Sequence, residues 1–415
     1  MYSRFVRTVL PIGVFIFSFL LSTQLGKHFF FPFSYLSGIR IDYLAPTLYL
    51  TDILSIFLLV IFLFQHMKDV KKLRLPSKKI ALLFFAVLLL LGANYVSALS
   101  KPLWVYRFAR VLEAVLLFYF FRKNGDKRRV FSSFVLGLFF GTLVQLALSI
   151  SQLSLRHSLQ GLWYFFGERQ FSIFTPGIAK ARMLGVEFLR PYGTFSHPNS
   201  MGGFYLLIYT FILTQKKITN VFLKIALLSF SSILVLVSFS RTAVVVYVLI
   251  NLIYFFGKNI DCRPCTVSKI FLSLFLLLLV FNIKGDQFSF QKRLTFLDNS
   301  IEIIKTHPLT GVGMGSYLIA QNKFPQHYSI FFEQPVHNIF FLIVTELGLP
   351  LSALLFGFMY KFLRLLKLKL PFFLPLLCVL ITGSIDHYWI TLQQNALLLP
   401  VIFGILYVQY EKKTL

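Results

Sequence analysis

Long apolar stretches alternate with short polar segments along the whole chain of 415 residues. A membrane-spanning helix needs roughly 20 mostly apolar residues, and about a dozen stretches meet this criterion. Their centres lie near Val14, Ile56, Leu88, Leu116, Leu143, Leu206, Ile233, Val248, Leu276, Leu354, Leu380 and Val401. The pattern predicts an all-α membrane protein, a polytopic bundle of about 12 transmembrane helices. The bundle would occupy residues 1–415 as a single transmembrane domain.

Composition and charge support this interpretation. Hydrophobic residues make up 57% of the chain and charged residues 13%, too few charges to cover a soluble protein of this size, so a soluble enzyme is excluded. The net charge is +26, but basic residues collect in the cytoplasmic loops of membrane proteins without binding nucleic acid. Here they group on alternate connections, at residues 4–7, 68–79, 122–129, 216–217, 258–269, 361–369 and 412–413. This predicts a multi-pass protein of the cytoplasmic (inner) membrane with both termini cytoplasmic.

The outer connections are predicted to be short and poor in basic residues, with two exceptions at about 156–197 and 284–337. In the second, apolar residues recur at three- and four-residue spacing, which predicts an amphipathic helix over the outer face that ends before His307-Pro308. Its expected apolar face consists of Phe290, Leu294, Leu297, Ile301 and Ile304. For the aromatic residues of the first loop, which include Phe171, we favour an interfacial belt over sugar stacking.

The outer segments also carry basic residues, which the tendency of basic residues to collect in cytoplasmic loops does not explain. Scattered lysines such as Lys292 are interpreted as solubilising surface. Arg190 and Arg241 end connections next to helices. Burying a guanidinium is costly unless it meets an anion, and its fork matches phosphate or carboxylate in a bidentate way. These two arginines are therefore candidates for anion binding on the outer face.

Three segments on this face form an ordered set of motifs. The first is Arg190-Pro-Tyr-Gly-Thr-Phe-Ser-His197-Pro-Asn199-Ser-Met-Gly202-Gly203, and the second is Ser238-Phe-Ser240-Arg241-Thr-Ala. The third is His307-Pro-Leu-Thr-Gly311-Val-Gly313-Met-Gly315, followed by His337-Asn338 and Glu346-Leu-Gly348. Their order and spacing resemble the signature of the O-antigen ligase and O-antigen polymerase superfamily, and with the helix count the resemblance covers most of the chain.

The resemblance implies a metal-independent C-type glycosyltransferase fold without a cofactor. Such an enzyme transfers a glycan from a polyprenyl (undecaprenyl) diphosphate donor to a hydroxyl of a glycan or lipid acceptor at the outer, periplasmic membrane face. By motif matching, Arg190 and Arg241 bind the diphosphate and His337 is catalytic. The supporting positions are His197, Asn199, Asn338, Gly311, Gly313 and Gly315. The chemistry agrees, since fixed guanidiniums stabilise charge on a departing phosphate and a histidine can take a proton near neutral pH.

Several residues have structural alternatives. His197 is interpreted as a cap of the following helix rather than a catalytic group. The glycines lack the Gly-Lys-Ser/Thr of a P-loop, so they predict a tight turn that lets the backbone approach the substrate or a helix. Glu346, nine residues beyond His337 in the predicted tenth span, is interpreted as structural.

Other polar positions are open or secondary. Arg107, Arg110 and Glu113 share one helix face and are expected to pair, as a structural cluster or as support for the site. Asp386-His387 is a lesser site candidate. Cys262 and Cys265, in a predicted cytoplasmic loop, indicate neither a zinc site nor a disulfide.

Two other functions compete with the ligase interpretation. A surface-polysaccharide polymerase of the same superfamily would use the same motifs and donor chemistry. A lipid-linked glycan transporter or flippase would use the same basic cavity, but the sequence lacks the internal repeats typical of transporters. We therefore favour a ligase-type glycosyltransferase.

Overall fold

The computed structural model describes residues 2–70, 77–183, 185–256, 287–324, 333–365 and 369–414, together with Leu274 and Leu278. Most of these residues are helical, which confirms the all-α class. Cys262, Cys265 and the centre of the predicted ninth span near Leu276 lie outside the described residues.

The helices in chain order are α1 Tyr2–Leu20, α2 Leu50–Val70, α3 Lys78–Val96, α4 Lys101–Asn124, α5 Arg128–Leu155, α6 Pro198–Thr214, α7 Val221–Val237, α8 Arg241–Phe256, α9 Gln287–Thr306, α10 Tyr317–Gln321, α11 Ile339–Leu347, α12 Leu349–Leu365, α13 Leu370–Gly383, α14 Tyr388–Thr391 and α15 Gln393–Thr414. Among the described residues, three two-stranded antiparallel sheets pair β1 Gly26–His28 with β4 Thr47–Tyr49, β2 Tyr35–Leu36 with β3 Ile39–Arg40, and β5 Lys180–Met183 with β6 Val186–Leu189.

Two of the described helices, α3 and α5, have the length and apolar composition needed to cross a membrane. Shorter apolar helices lie at Thr8–Leu20, Leu50–Gln65, Val221–Val237, Arg241–Phe256 and Leu370–Gly383. The count of about 12 spans therefore stays a prediction.

The chain forms two compact units. The first unit comprises Met1–Leu25, Phe121–Gln287 and Leu368–Leu415, and the second comprises Gly26–Phe120 and Phe288–Lys367. In the first unit α1 packs closely on α5, because Gly137 and Gly141 present no side chain there. A Cβ at these positions would lie 2.5 Å from the carbonyl oxygen of Phe15 and 2.6 Å from that of Phe19. Nearly all of α6 is buried, as expected for a helix that is apolar on every side.

The core of the second unit joins several elements that the sequence separates. It contains Leu103 of α4, Phe296 and Ile303 of α9, Tyr317 of α10 and Leu342 of α11. Two of these three sheets lie between α1 and α2, so the prediction of a short connection there was wrong. This segment forms pairs of strands, and Leu36, Ile41 and Leu44 from it enter the core.

The prediction that the tenth span is one continuous helix was wrong. It is divided at Gly348 into α11 and α12. Gly348 has φ +78°, and a Cβ there would lie 2.5 Å from the carbonyl oxygen of Leu309. The left-handed backbone conformation ends the first helix, and the close approach of a second segment requires glycine.

Candidate functional site

Two glutamines of α5 hold the first motif in the first unit. The amide oxygen of Gln152 accepts hydrogen bonds from the N–H groups of Tyr192 at 2.9 Å and Gly193 at 2.8 Å. The amide oxygen of Gln145 accepts a hydrogen bond from the N–H of Thr194 at 3.1 Å, and its amide nitrogen donates to the Thr194 hydroxyl at 2.7 Å. Seven residues make about two helical turns, so both amides extend from one face of α5. The motif backbone is thereby fixed from Tyr192 to Thr194.

Gln152 also connects the motif to the earlier part of the same loop. Its amide nitrogen donates to the buried carboxylate of Glu168 at 2.8 Å and to the carbonyl oxygen of Gly193 at 3.0 Å. The same carboxylate accepts from the backbone N–H groups of Leu159 at 2.9 Å and Gln160 at 2.6 Å. The loop predicted at 156–197 is thus an ordered structure built around buried polar groups.

Arg190 joins the first motif to the second. Its Nε donates to the carbonyl oxygen of Ser238 at 3.0 Å, and its Nη2 donates to Oδ1 of Asn199 at 2.6 Å. The amide nitrogen of Asn199 in turn donates to the carboxylate of Asp386 at 3.1 Å. A partly exposed guanidinium is therefore held between the start of α6 and the turn after α7, with Asp386 orienting the amide that it contacts.

Arg241 is the first residue of α8, where its side chain is exposed. The turn before it contains Phe239 with φ +50°, and the Phe239 ring packs against Phe188 of β6 with 4.7 Å between ring centroids. The Ser238 carbonyl that receives Arg190 belongs to the same turn. One turn therefore carries Arg241 and positions Arg190.

The capping interpretation of His197 is confirmed. Its Nδ1 accepts a hydrogen bond from the backbone N–H of Asn199 at 3.1 Å, at the start of α6. The ring satisfies a helix N–H that has no intrahelical partner. His197 thus supports the residue, Asn199, that contacts Arg190.

In the second unit, His337 lies two residues before the start of α11. Asn338 caps this helix, since its side-chain oxygen accepts from the N–H groups of Phe340 at 2.9 Å and Phe341 at 3.1 Å. The His337 ring stacks on Phe296 of α9, with 6.2 Å between centroids and 11° between planes. The cap fixes where the helix begins, and the stacked ring restricts the imidazole.

The glycine motif packs on the other end of α11. Val312 donates to the carbonyl oxygen of Thr345 at 3.0 Å, and Gly313 donates to that of Glu346 at 3.0 Å. A Cβ on Gly311 would lie 2.5 Å from the Glu346 carbonyl oxygen, and Gly311 has φ +65°. The prediction that these glycines let the backbone approach a helix is confirmed.

Glu346 is also structural, as expected. Its carboxylate accepts hydrogen bonds from the backbone N–H groups of Gly315 and Tyr317, with the charge of Arg107 nearby. Gly315 leaves room for that arginine, because a Cβ there would lie 2.7 Å from the Arg107 side chain. The carboxylate therefore holds the end of the glycine segment against α11.

The amphipathic helix in the second long loop is confirmed as α9, which ends at Thr306. The predicted apolar face was wrong in part: Phe290 and Leu294 are 65% and 47% exposed, whereas Leu297 packs against the core of the unit. The buried positions are Lys292, Phe296, Ser300 and Ile303. Ser300 contacts Thr345 of α11, with 2.7 Å between the hydroxyl oxygens.

The interpretation of Lys292 as exposed surface was also wrong. Its side chain is 8% exposed, and its Nζ lies 5.4 Å from the centroid of the Phe296 ring. Burial, together with the neighbouring charge of Arg293, lowers the pKa of Lys292 from its ordinary value of 10.5 to about 8.

A buried ion-pair cluster joins α2 and α4. Nη1 of Arg110 lies 2.7 Å from the Glu113 carboxylate, which confirms that expected pair, and 2.6 Å from Asp52. Arg107 does not follow the predicted pairing and donates instead to the carbonyl oxygen of Tyr43 at 3.0 Å. This cluster connects two helices of the second unit.

The comparisons with known proteins agree with these motifs. A family model described as O-antigen ligase matches residues 203–356. This match supports the resemblance of the chain to the O-antigen ligase and polymerase superfamily. The matched segment contains Arg241, the glycine motif and His337, and it begins after Arg190. Members of this family are integral membrane enzymes of the glycosyltransferase type, and lipid-linked glycans are their general partners. No curated protein matches the chain.

Sequence reasoning missed the residues that hold these motifs in place. Gln145 and Gln152 were not recognised, although two amides spaced by seven residues in an apolar stretch are a signal, because polar groups in a span turn toward the protein interior. Asp386 was only a lesser candidate, and its contact with Asn199 could not be foreseen across 187 residues. Phe296 was not singled out at all.

Proposed function

We propose that the protein is an O-antigen ligase-type glycosyltransferase. It takes a glycan from polyprenyl (undecaprenyl) diphosphate and transfers it to an acceptor hydroxyl at the outer face of the cytoplasmic membrane. In this reaction the acceptor oxygen bonds to the anomeric carbon, the bond between that carbon and the diphosphate breaks, and the acceptor proton goes to a base. Polyprenyl diphosphate leaves with the bonding electron pair.

One observation carries the assignment most strongly. The guanidinium of Arg190 is fixed at two of its nitrogens, by Ser238 of the second motif and by Asn199 of the first. A preoriented guanidinium stabilises charge that develops on a leaving phosphate without reorganising during the reaction. This arrangement lies beside a segment that matches the O-antigen ligase family.

The proposed roles follow the chemistry of each group. Arg190 and Arg241 bind the diphosphate, and His337 accepts the proton of the acceptor hydroxyl. Asn199, His197 and Asn338 support these residues through the contacts described above. Transfer is metal-independent in this proposal, and we expect it to continue in EDTA. Loss of transfer in chelator with recovery in a divalent metal would contradict metal independence.

The proposal is tested with purified protein in lipid vesicles that contain a polyprenyl diphosphate-linked glycan and an acceptor. We expect a new glycosidic bond, detected by mass spectrometry of the acceptor. Movement of the labelled donor across the vesicle without bond formation would support a flippase instead and contradict the proposal.

Arg190→Lys sharpens the same test. The substitution keeps the charge but loses the bidentate fork, so we expect kcat/KM to fall by about 100-fold. Arg182→Lys is the matched control, because Arg182 is exposed on the β5–β6 hairpin. Equal kinetics in the two variants would argue against phosphate binding at Arg190.

A polymerase of the same superfamily is the second candidate, since the matched family segment and the motifs serve both reactions. Mass spectrometry of surface glycans from cells with and without the protein separates them. A ligase is indicated if all attached glycan is lost with the protein, and a polymerase if single attached repeat units remain.

A further inference from the structure

In the second unit, the ring of Phe296 stacks on the ring of His337. The two rings are nearly parallel, with an interplanar angle of 11° and 6.2 Å between centroids. Phe296 is itself 4% exposed and belongs to the core of this unit. A ring that cannot move within a packed core restricts the orientations open to an imidazole stacked on it.

The position of Phe296 is fixed by contacts on several sides. The hydroxyl of Tyr317, two residues after the glycine motif, donates to the Phe296 carbonyl oxygen at 3.1 Å. Ser300, one turn further along α9, contacts Thr345 of α11. The ammonium group of Lys292 lies over the Phe296 ring at 5.4 Å. Helix α9 therefore contacts α11, the helix that follows His337. It also contacts Tyr317, which comes just after the glycine motif that packs on the far end of α11.

These contacts explain why the buried face of α9 differs from its most apolar face. Phe290 is 65% exposed while Lys292 is buried. Burying a lysine is unfavourable unless a specific contact compensates for the lost hydration. Here the contact is with the ring of Phe296, on which the His337 ring also stacks.

We propose that Phe296 is a positioning residue for His337. Its ring holds the imidazole in the orientation from which it removes the proton of the acceptor hydroxyl. This inference rests on the proposed function for the identity of the reaction, but the packing of His337 can be measured without any reaction.

The test compares Phe296→Leu with Phe290→Leu in the full-length purified protein. The same substitution is thus made on the same helix, at a buried position against His337 and at an exposed one. The first measurement is the rate at which diethyl pyrocarbonate modifies His337, followed by peptide mass spectrometry. We expect Phe296→Leu to raise this rate by roughly 2- to 10-fold, the change in the packed population that loss of an aromatic pair implies. Phe290→Leu should leave the rate unchanged.

The second measurement is glycan transfer. Phe296→Leu should lower kcat by about 10- to 100-fold with little change in KM, because a misplaced base slows the chemical step and leaves donor binding intact. Phe296→Tyr, which keeps the ring, should restore both the reactivity of His337 and kcat. If Phe296→Leu lowers the melting temperature so far that the protein is not folded, Phe296→Met takes its place with the same expectations.

Two results would overturn the inference. One is a His337 modification rate in folded Phe296→Leu protein equal to that of Phe290→Leu. The other is a kcat that falls equally in Phe296→Leu and Phe296→Tyr. If all variants lack transfer but Phe296→Leu alone exposes His337, the proposed function fails and the positioning contact stands.

Discussion

The two units hold their motifs by different chemistry. In the first unit, side-chain amides fix the segment at 190–199. Gln145 and Gln152 bond its backbone from α5, and Asn199 accepts a hydrogen bond from Arg190 within the segment. In the second, the segment at 308–315 lies against the end of α11 mainly through backbone hydrogen bonds and glycines. Two side chains add to these contacts: the Asn94 amide donates to the carbonyl oxygens of Thr310 and Glu346, and the Glu346 carboxylate accepts from Gly315. The first arrangement suits a region that must place a charged guanidinium, because amides can both donate and accept. The second suits a rigid support, since glycines let two backbones pack directly.

The largest stability effect should come from the amide-bonded region. Gln152→Leu removes the acceptor of Tyr192 and Gly193 and the donor to Glu168. The bond that the Gln152 amide nitrogen donates to the Gly193 carbonyl oxygen is lost as well. The N–H groups of Tyr192 and Gly193 and the Gly193 carbonyl lose this partner, which should cost about 4 kcal/mol of the free energy of unfolding. Thermal melting of the purified protein measures this loss. Gln170→Leu, at an exposed position, should cost well under 1 kcal/mol. Similar melting temperatures for the two variants would mean that the amides do not hold the motif.

A smaller effect is expected in the glycine-bonded region. Gly311→Ala should destabilise by about 3 kcal/mol, because the methyl group meets backbone atoms and the residue has positive φ. The control is Gly177→Ala, which has φ +73° but no atom within 4 Å of the added Cβ. That variant should show the backbone strain alone, about 1 kcal/mol. If both variants melt alike, close packing against α11 contributes nothing.

A third effect concerns the pH dependence of stability and Lys292. In the folded protein its pKa is about 8, below the ordinary value of 10.5. Folding therefore disfavours the charged form of Lys292. The resulting loss in the free energy of unfolding is complete below pH 8 and disappears as pH rises to 10.5. The melting temperature of the wild type should consequently rise relative to that of Lys292→Met across this interval. A difference that stays constant with pH would contradict a lowered pKa at this buried position.

The two regions also differ in how far the sequence predicts them. The glycine motif and the end of α9 before His307-Pro308 depend on local backbone rules, and both were predicted. The contacts of Gln145 and Gln152 join residues 40 to 49 positions apart, which no local pattern encodes.

The face of α9 was missed for a physical reason. In a membrane protein, apolar side chains face lipid as well as the core, so periodicity alone does not distinguish the two. Phe290 and Leu294 are apolar and exposed, whereas Lys292 and Ser300 are polar and buried in specific contacts. Phe296 follows the same logic, since its contact with His337 depends on which side of the helix turns inward.

The most direct test of the account is transfer by the His337→Ala variant, measured with a polyprenyl diphosphate-linked glycan and an acceptor in vesicles. His157→Ala is the control, because His157 lies on an exposed part of the first long loop. We expect His337→Ala to lower the transfer rate by about 100- to 10,000-fold with unchanged melting temperature, the range for loss of a general base. His157→Ala should transfer at the wild-type rate. Full transfer by folded His337→Ala protein would contradict the central claim that His337 is the base of a glycosyltransferase.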